Sequence, residues 1–404
     1  MIRKLACILI ALVGICTAQT SLSLEDAVRK AQFQRPELRA AALRADAAGQ
    51  LRRQSTLIPN PRLSLQSENI RSSNFDFGRD ADTFAYFSQP IETSGRRGGR
   101  IAVASENQER RRLEAQQLRR EIGFSVRDAY WRASAAQYTG ELYAQSEDYF
   151  KQILEYHAAR FQEGKLAEVD LLRVRLQSEQ IHAAAANARL RSERAQLDLA
   201  RQVGELQPGP WLLTEKFDQL ETPRTSQVGA DLTSLRIEGR LAQQDVASAQ
   251  ARWRLERANG RPDLDALFGY KRTSGLNTAI AGLQLNVPLF DRNQGASAAA
   301  RAEVGAAEHT LEATRIQINS EVALARRAYD SRLQQVKEIF GPMRERAIQI
   351  ADISRAAYRE GGLDLLRLLD AEKLRIESHL AWVDALTEYH AIVNELERAE
   401  GVEP

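Results

Sequence analysis

Apolar residues recur at steps of three and four over two long stretches of the chain, and at steps of two over four short ones. In the second half, Ile318, Val322, Ala325, Tyr329, Leu333, Val336 and Phe340 form one helical stripe; Leu369, Ile376, Leu380, Val383 and Leu386 form another. Such spacing puts the apolar side chains on one helix face, the seam of a coiled coil. Seam positions are often Ala or Tyr, which suits close, modest contacts in a sheet or cylinder of helices. Between Pro90 and Pro208 no proline occurs over 117 residues. An interior proline costs a helix about 3 kcal/mol, so this stretch is free to run without a break. Residues 98–162 alone would make a helix of about 98 Å at ~1.5 Å rise per residue. A helix of that length needs neighbours to shield its stripe. Gly341-Pro342 interrupts the second long helix and predicts a kink there.

The period-two segments predict strands. In Arg62–Glu68, Leu63 and Leu65 alternate with Ser64 and Gln66. In 263–271, Leu264, Ala266, Phe268 and Tyr270 alternate with Asp263, Asp265 and Lys271. In 278–289, Ala281, Leu283, Leu285 and Val287 alternate with Gln284 and Asn286. Residues 83–91 are aromatic (Phe84, Tyr86, Phe87) but alternate less cleanly. The polar stretches 70–81 and 273–277 read as the loops of two hairpins. Each segment has about the 9–11 residues of a tilted transmembrane strand, with an apolar face for lipid and a polar face for water. Alternation alone fits a half-buried soluble hairpin equally well. Four strands cannot close a barrel, and open edges cannot face lipid. If these strands span a membrane, the chain must therefore oligomerise.

Landmarks repeat in order at an offset that drifts from 201 to 197 residues. Arg35 with Pro61 corresponds to Arg236 with Pro262, and Gln89-Pro90-Ile91 to Val287-Pro288-Leu289. Ala129-Tyr130 corresponds to Ala328-Tyr329, and Phe161-Gln162-Glu163-Gly164 to Tyr358-Arg359-Glu360-Gly361. Four landmarks in order point to a duplicated unit. Each half is expected to hold a medium helix (37–58 and 232–258), two strands, a very long helix, a tight glycine turn and a further helix (167–203 and 364–399). The two shorter helices of each half, laid end to end, nearly match the long one. The expected organisation is a first repeat over 19–203, a Pro-rich linker over 204–230 and a second repeat over 231–404.

The N-terminus changes the compartment. Arg3 and Lys4, an apolar run over 5–15 and Cys16-Thr17-Ala18 read as a secretory signal peptide over 1–18, too short to span a membrane. Ile15 is not the small residue that lipid attachment at Cys16 needs, so cleavage after Ala18 is expected. Both cysteines, Cys7 and Cys16, leave with the leader, so no disulfide is expected. The chain has 56 basic and 54 acidic residues; without Arg3 and Lys4 the count is 54 to 54. That balance argues against nucleic-acid binding through bulk charge. No other stretch has the ~18 apolar residues of a spanning helix, which leaves a β-barrel as the membrane form.

These words together resemble the TolC-like outer-membrane efflux family over nearly the whole mature chain. They are Leu22-Ser23-Leu24-Glu25-Asp26-Ala27 with Pro36-Glu37-Leu38, the repeated Phe/Tyr-x-x-Gly turn, and Leu368-Leu369-Asp370-Ala371. Val287-Pro288-Leu289-Phe290-Asp291-Arg292-Asn293-Gln294-Gly295 looks most like the branch that includes CzcC and CusC, heavy-metal exporters. The resemblance implies a mainly α fold with a small β part. Three chains would make a homotrimer with a 12-strand barrel in outer-membrane lipid and a 12-helix α-barrel across the periplasm. A periplasmic adaptor and an inner-membrane pump, of RND type, would be its partners. The tip turns at Gly164, Gly361 and Gly362 would face the adaptor. Residue by residue, Asp170 and Tyr358 match a family pair that hydrogen-bonds across neighbouring hairpins, and Asp370 matches a gate carboxylate. Arg367 falls where some members carry a second carboxylate, a departure from a purely acidic constriction. Read without the resemblance, Asp370 is an exposed charge one turn from Arg367.

Little else in the chain carries chemistry. Five histidines, His157, His182, His309, His379 and His390, are scattered singly and read as helix-surface or seam residues. Met343 is the only methionine after Met1, so neither a metal site nor a cofactor is expected. Gly95-Arg96-Arg97-Gly98-Gly99 lacks the Gly-Lys-Ser/Thr ending of a phosphate loop. The arginine runs 110–112 and 119–120 alternate with Glu106, Glu109, Glu114 and Glu121 as on a solvated helix face. No nucleophile, base and orienting group stand together, so an enzyme is not expected. Two other readings remain: an exit duct for drugs or secreted proteins, and a periplasmic coiled-coil scaffold without a channel. The alternating strands favour a duct over a scaffold.

Overall fold

The computed structural model describes residues 20–71, 73–205, 211–225 and 231–404. The expected leader, its cysteines and Pro208 and Pro210 lie outside these residues. In chain order the elements begin with β1 (Thr20–Leu22), α1 (Leu24–Gln34), α2 (Pro36–Ser55), β2 (Arg62–Glu68), α3 (Phe77–Asp80) and β3 (Asp82–Ile91). Helices α4 (Arg96–Gln162) and α5 (Glu168–Val203) follow, then β4 (Trp211–Leu213), α6 (Leu232–Leu235) and α7 (Ile237–Asn259). Strands β5 (Leu264–Thr273) and β6 (Leu276–Leu285) lead into α8 (Gln294–Gln335). A π-helical turn over Val336–Phe340 passes into α9 (Gly341–Arg359), and α10 (Leu365–Ala399) ends the order.

Helix α4 is 67 residues long and unbroken. It packs along α5, α2, α7 and α10, while α8 packs on α7 and α10. The expected stripe is the buried one: Ile318, Val322, Ala325 and Val336 are buried, and Tyr329, Leu333 and Phe340 pack on the core. Its partners across the helices include Val126, Tyr130 and Trp131 of α4 and Val383, Leu386 and Tyr389 of α10.

Several boundaries differ from the sequence expectation. At Gly341-Pro342, where the sequence predicts a kink, the chain stays helical through a π turn. Pro342 lacks the N–H and crowds the carbonyl four residues back, and the wider π turn just before it lets the chain pass. Strand β6 stops at Leu285, so Val287 and Leu289 continue the alternation without a ladder partner. Residues 232–258 form two helices, broken at the extended Arg236.

The segment after α5 is docked on the helices. Trp211–Leu213 pairs in parallel with Thr20–Leu22. The Tyr130 hydroxyl donates to Leu22 O at 3.0 Å and accepts from the backbone N–H of Thr214 and Glu215, both at 3.1 Å. Strands of three residues carry no periodicity, so this ladder is invisible in the sequence.

Candidate functional site

Two regions of the molecule bear on function, the sheet at one end of the helices and the glycine turns elsewhere along them. The sheet order is β2-β3-β5-β6, every pair antiparallel, so β2 and β6 are open edges. Its register aligns the alternation of all four strands. Leu63 faces Phe87, Phe87 faces Phe268, and Phe268 faces Ala281; Leu65, Ala85, Tyr270 and Ala279 form the next such row. Ala266 pairs with Leu283 and Leu264 with Leu285. One face is therefore largely apolar, with Leu63, Leu65, Phe87, Phe268, Tyr270, Leu283 and Leu285 all exposed; Gln89 is the polar member of the Ala266–Leu283 row, and the row of Ser67, Thr83, Arg272 and Asn277 bounds the face at its loop end.

The opposite face is mixed, in rows such as Gln66, Phe84, Lys271 and Thr278. This explains why β3 alternates poorly. The Phe84 ring has the Lys271 ammonium 5.3 Å from its centroid, and Tyr86 lies across Gly269. A Cβ on Gly269 would sit 2.5 Å from both Ala85 O and Tyr86 Cβ. The aromatics thus occupy the polar face for specific neighbours. The two hairpins are tied together by Asp82, which accepts from Asn69 Nδ2 at 2.7 Å and from Ser274 N at 2.9 Å.

Where sheet becomes helix, α4 starts after Gly95 at φ +88° and α8 after Asn293 at φ +56°, both left-handed caps. Arg96 donates to Asn259 O at 3.0 Å, the last residue of α7. Arg97 donates through Nε and Nη2 to Thr56 O at 3.0 and 2.7 Å, at the end of α2. The Gly-Arg-Arg-Gly-Gly run is thus a joint in which neighbouring guanidiniums cap two helix ends. The arginine run on α4 pairs as its charge pattern implied: Arg110 and Arg111 with Glu114, and Arg112 with Glu109.

The two glycine turns share one hydrogen-bond pattern. Gly164 N donates to Phe161 O at 2.9 Å and Lys165 N to Arg160 O at 2.9 Å. Gly361 N donates to Tyr358 O at 3.1 Å and Gly362 N to Ala357 O at 2.9 Å. Both are Schellman motifs, with the left-handed residue at Gly164 (φ +70°) and Gly361 (φ +78°). Gly362 is not left-handed; its part is the backbone N–H it donates.

Asp170 lies in the first turn of α5, where the helix dipole favours a carboxylate, with the Arg173 guanidinium at 3.5 Å. Arg367 pairs with Asp364 at 3.5 Å, the residue whose carboxylate also caps α10 through Arg367 N at 2.9 Å. The i, i+3 alternative for Arg367 and Asp370 is therefore not the pairing adopted, and Asp370 is exposed with no ion pair among the described residues. The Tyr358 hydroxyl is 2.6 Å from His157 Nε2, within the chain. Burial pushes the Tyr358 phenol above its ordinary value, and the Arg160 guanidinium beside it works in the opposite direction.

His157 is the residue that sequence reasoning set aside. It is fully buried, with Nδ1 2.7 Å from Ile153 O. A carbonyl can only accept, so Nδ1 carries the proton and Nε2 accepts from Tyr358. A lone histidine on a seam gives no signal of this, because its partner is 201 residues away. Glu372 is likewise fully buried, paired with Arg355 and Arg375. Among the described residues no group of His, Asp and Glu is placed to hold a metal ion, and no helix is long and apolar enough to cross a membrane.

Long paired helices running into a small sheet with one exposed, largely apolar face define the TolC-like class of efflux channels. The family model for outer membrane efflux proteins matches residues 27–205 and 240–402, and the chain belongs to that family. It is 25% identical over 400 residues to the cobalt-zinc-cadmium resistance protein CzcC of Cupriavidus metallidurans, covering 94% of this chain and 90% of that protein. It is 26% identical over 289 residues to the nickel-cobalt-cadmium resistance protein NccC of Alcaligenes xylosoxydans xylosoxydans, covering 70% and 65%.

Among solved structures, the fold is that of CusC, with a TM-score of 0.79 at 17% identity over 94% of this chain and 92% of that one. The open state of the Neisseria gonorrhoeae MtrE outer membrane channel gives a TM-score of 0.79 at 16% identity, over 94% and 89%. The resemblance to the CzcC and CusC branch, read from one strand-to-helix junction, extends along nearly the whole chain. The family is one of efflux channels rather than enzymes.

Proposed function

We propose that this protein is the outer-membrane exit duct of a tripartite efflux system. Three chains close a 12-strand barrel in the membrane and a 12-helix tunnel across the periplasm. It conducts passively what a periplasmic adaptor and an RND-type inner-membrane pump deliver. Heavy-metal cations are the proposed cargo, in keeping with the names of the relatives.

The observation that carries this reading is the sheet. Four strands with one exposed apolar face leave β2 and β6 unpaired. Lipid supplies no hydrogen bonds to open edges, so in a membrane β6 of one copy must pair with β2 of the next until the ring closes. The chain is read as two repeats, 19–203 and 231–404, so that three chains supply six similar hairpin units around the axis. At the tip, Asp170, Tyr358, Arg367 and Asp370 form the closing contacts, and the turns at Gly164 and Gly361-Gly362 meet the adaptor.

The test is assembly and conduction. Detergent-purified protein is expected to have three times the mature chain mass by native mass spectrometry and to conduct ions in planar bilayers. Deleting its gene should sensitise cells to cobalt, zinc or cadmium. A monomer that stays soluble without detergent and does not conduct would overturn the duct. Unchanged metal tolerance, with drug tolerance lost, would replace the cargo and keep the duct.

A further inference from the structure

The two hairpins of one chain obey the internal repeat pair by pair. Residues of β2 map onto β5 at the offset of 201 seen at Pro61 and Pro262, and residues of β3 onto β6 at the offset of 198 seen at Pro90 and Pro288. Applied to Leu63 opposite Phe87, these offsets give Leu264 opposite Leu285; applied to Glu68 opposite Asp82, they give Gly269 opposite Ile280. Both are pairs of the second hairpin. The left-handed caps Gly95 and Asn293 are also 198 apart. Between the hairpins, the seam of β3 with β5 lies inside the chain, while the equivalent edges, β6 and β2, are open. Resting on the closed-ring reading above, we infer that the β3–β5 seam is the template for the seam between copies. It sets Val287 opposite Leu65 of the next copy, Leu289 opposite Leu63 of the next copy, and Glu308 beside Arg44 of the next copy.

Inside the chain Gln89 faces Ala266 and Ile91 faces Leu264. The offsets turn these into Val287 with Leu65 and Leu289 with Leu63, all four of them exposed in a single chain. Val287 and Leu289 continue the alternation of β6 past its last ladder pair, Leu264 with Leu285, and this register gives them partners. Apolar side chains then meet apolar ones on one face. A slip of one residue would set Val287 against Ser64 or Gln66. Pro288 falls opposite Ser64 of the next copy as Pro90 falls opposite Asp265, so the seam inside the chain already accommodates a proline there.

The helices below the sheet carry the same relationship in charge. Helix α4 packs on α7, and Arg110 Nη1 lies 2.8 Å from Asp245 Oδ1 across that contact. The same offsets put Glu308 of α8 and Arg44 of the next copy's α2 at the equivalent positions, an ion pair with its charges exchanged. Both residues are exposed, and neither has an ion pair among the described residues of one chain. A second copy is therefore the occupant that satisfies the open edge, the apolar row and the charges at once; lipid would leave the edges unbonded.

Cysteine cross-linking tests the register. Directly opposed residues of an antiparallel ladder have Cα atoms about 4.5–5.5 Å apart, within disulfide reach, whereas partners two residues off are about 7–8 Å apart. No cysteine follows Cys16, so introduced pairs report cleanly. Val287→Cys with Leu65→Cys, in full-length protein oxidised in outer membranes, should give covalent bands at two and three chain masses in non-reducing denaturing gels. Within one chain the two positions lie at opposite edges of the sheet and cannot bridge. Val287→Cys with Leu63→Cys or with Ser67→Cys should bridge far less. As a second measurement, Arg44→Glu should lower the temperature at which the detergent-purified assembly dissociates, and adding Glu308→Arg should restore it. Conducting assemblies that bridge preferentially through Leu63→Cys or Ser67→Cys, or through none of the three, overturn the proposal while the duct stands; so does a double charge variant no more stable than Arg44→Glu. Chains that neither bridge, associate nor conduct overturn the duct reading and the proposal with it.

Discussion

Glu397 and Arg224 bind each other by three contacts: Arg224 N donates to Oε1 at 3.0 Å, its Nε to Oε1 at 3.3 Å, and its Nη2 to Oε2 at 2.9 Å. Arg127 of α4 reaches the same carboxylate from a side chain only 6% exposed. Burial pushes the Glu397 carboxyl up, but the Arg224 hydrogen bonds and the Arg127 charge more than reverse it, leaving it below its ordinary value. Glu397→Gln should cost about 3–5 kcal/mol, because it strands a buried guanidinium. Thermal melting should show this, and limited proteolysis should cut the 211–225 segment faster. The carboxylate's contribution is present above the ordinary glutamate range and is lost as pH falls through its lowered value.

Burial lowers His379 and His390 to about 4 from the usual 6.5. Both are neutral in the fold, His390 stacked on Trp131 at 3.7 Å. Between about pH 6.5 and pH 4 the unfolded chain binds more protons than the folded one, so stability should fall as pH drops through that window. His390→Phe keeps the stack and removes the proton. It should melt with a shallower pH dependence than wild type.

Glycine substitutions should separate two kinds of requirement. Nothing lies within 4 Å of a Cβ at Gly164 or Gly361, so alanine there meets only the left-handed backbone. The expected cost is about 1 kcal/mol each, read as a small melting shift with assembly intact. At Gly269 the backbone is ordinary but Ala85 O and Tyr86 Cβ are each 2.5 Å away. Gly269→Ala should pry β5 from β3 and reduce the yield of assembled protein in membranes.

The two sheet faces should answer oppositely to charge. Leu283→Arg places a guanidinium on the apolar face, at a depth-dependent cost of up to about 2–4 kcal/mol. Gln284→Arg, one residue on, falls on the mixed face opposite Asp265 and should insert normally. Heat-modifiable migration in detergent gels reports insertion. Equal behaviour of the two would contradict the membrane reading of the sheet.

At the tip, Asp170→Ala combined with Tyr358→Phe should raise resting conductance and admit larger antibiotics, since it removes two of the residues proposed to close the tip. Asp370→Ala should chiefly alter cation preference or block by multivalent cations, since Asp370 has no ion pair among the described residues and Arg367 is engaged by Asp364. Wild-type conductance in the double variant, with assembly unchanged, would remove these residues from the closing contacts.

What the sequence by itself determined is the periodic part. Steps of three and four require helix, missing prolines allow it to run on, and period two separates an apolar strand face from a polar one. Paired Gly turns follow from the same logic, because a left-handed cap favours glycine, with asparagine such as Asn293 the other residue that adopts it readily. Tertiary structure alone decided what lies across from what. Phe84 and Tyr86 blur the alternation of β3 until Lys271 and Gly269 are seen opposite them. The 211–225 segment reads as linker until Tyr130, Glu397 and a three-residue ladder hold it down. His157 reads as an ordinary seam residue until Tyr358, 201 positions later, donates a hydrogen bond to it. Periodicity is a property of neighbours along the chain and is written in it. A hydrogen bond between distant residues depends on register between helices, which no local pattern encodes.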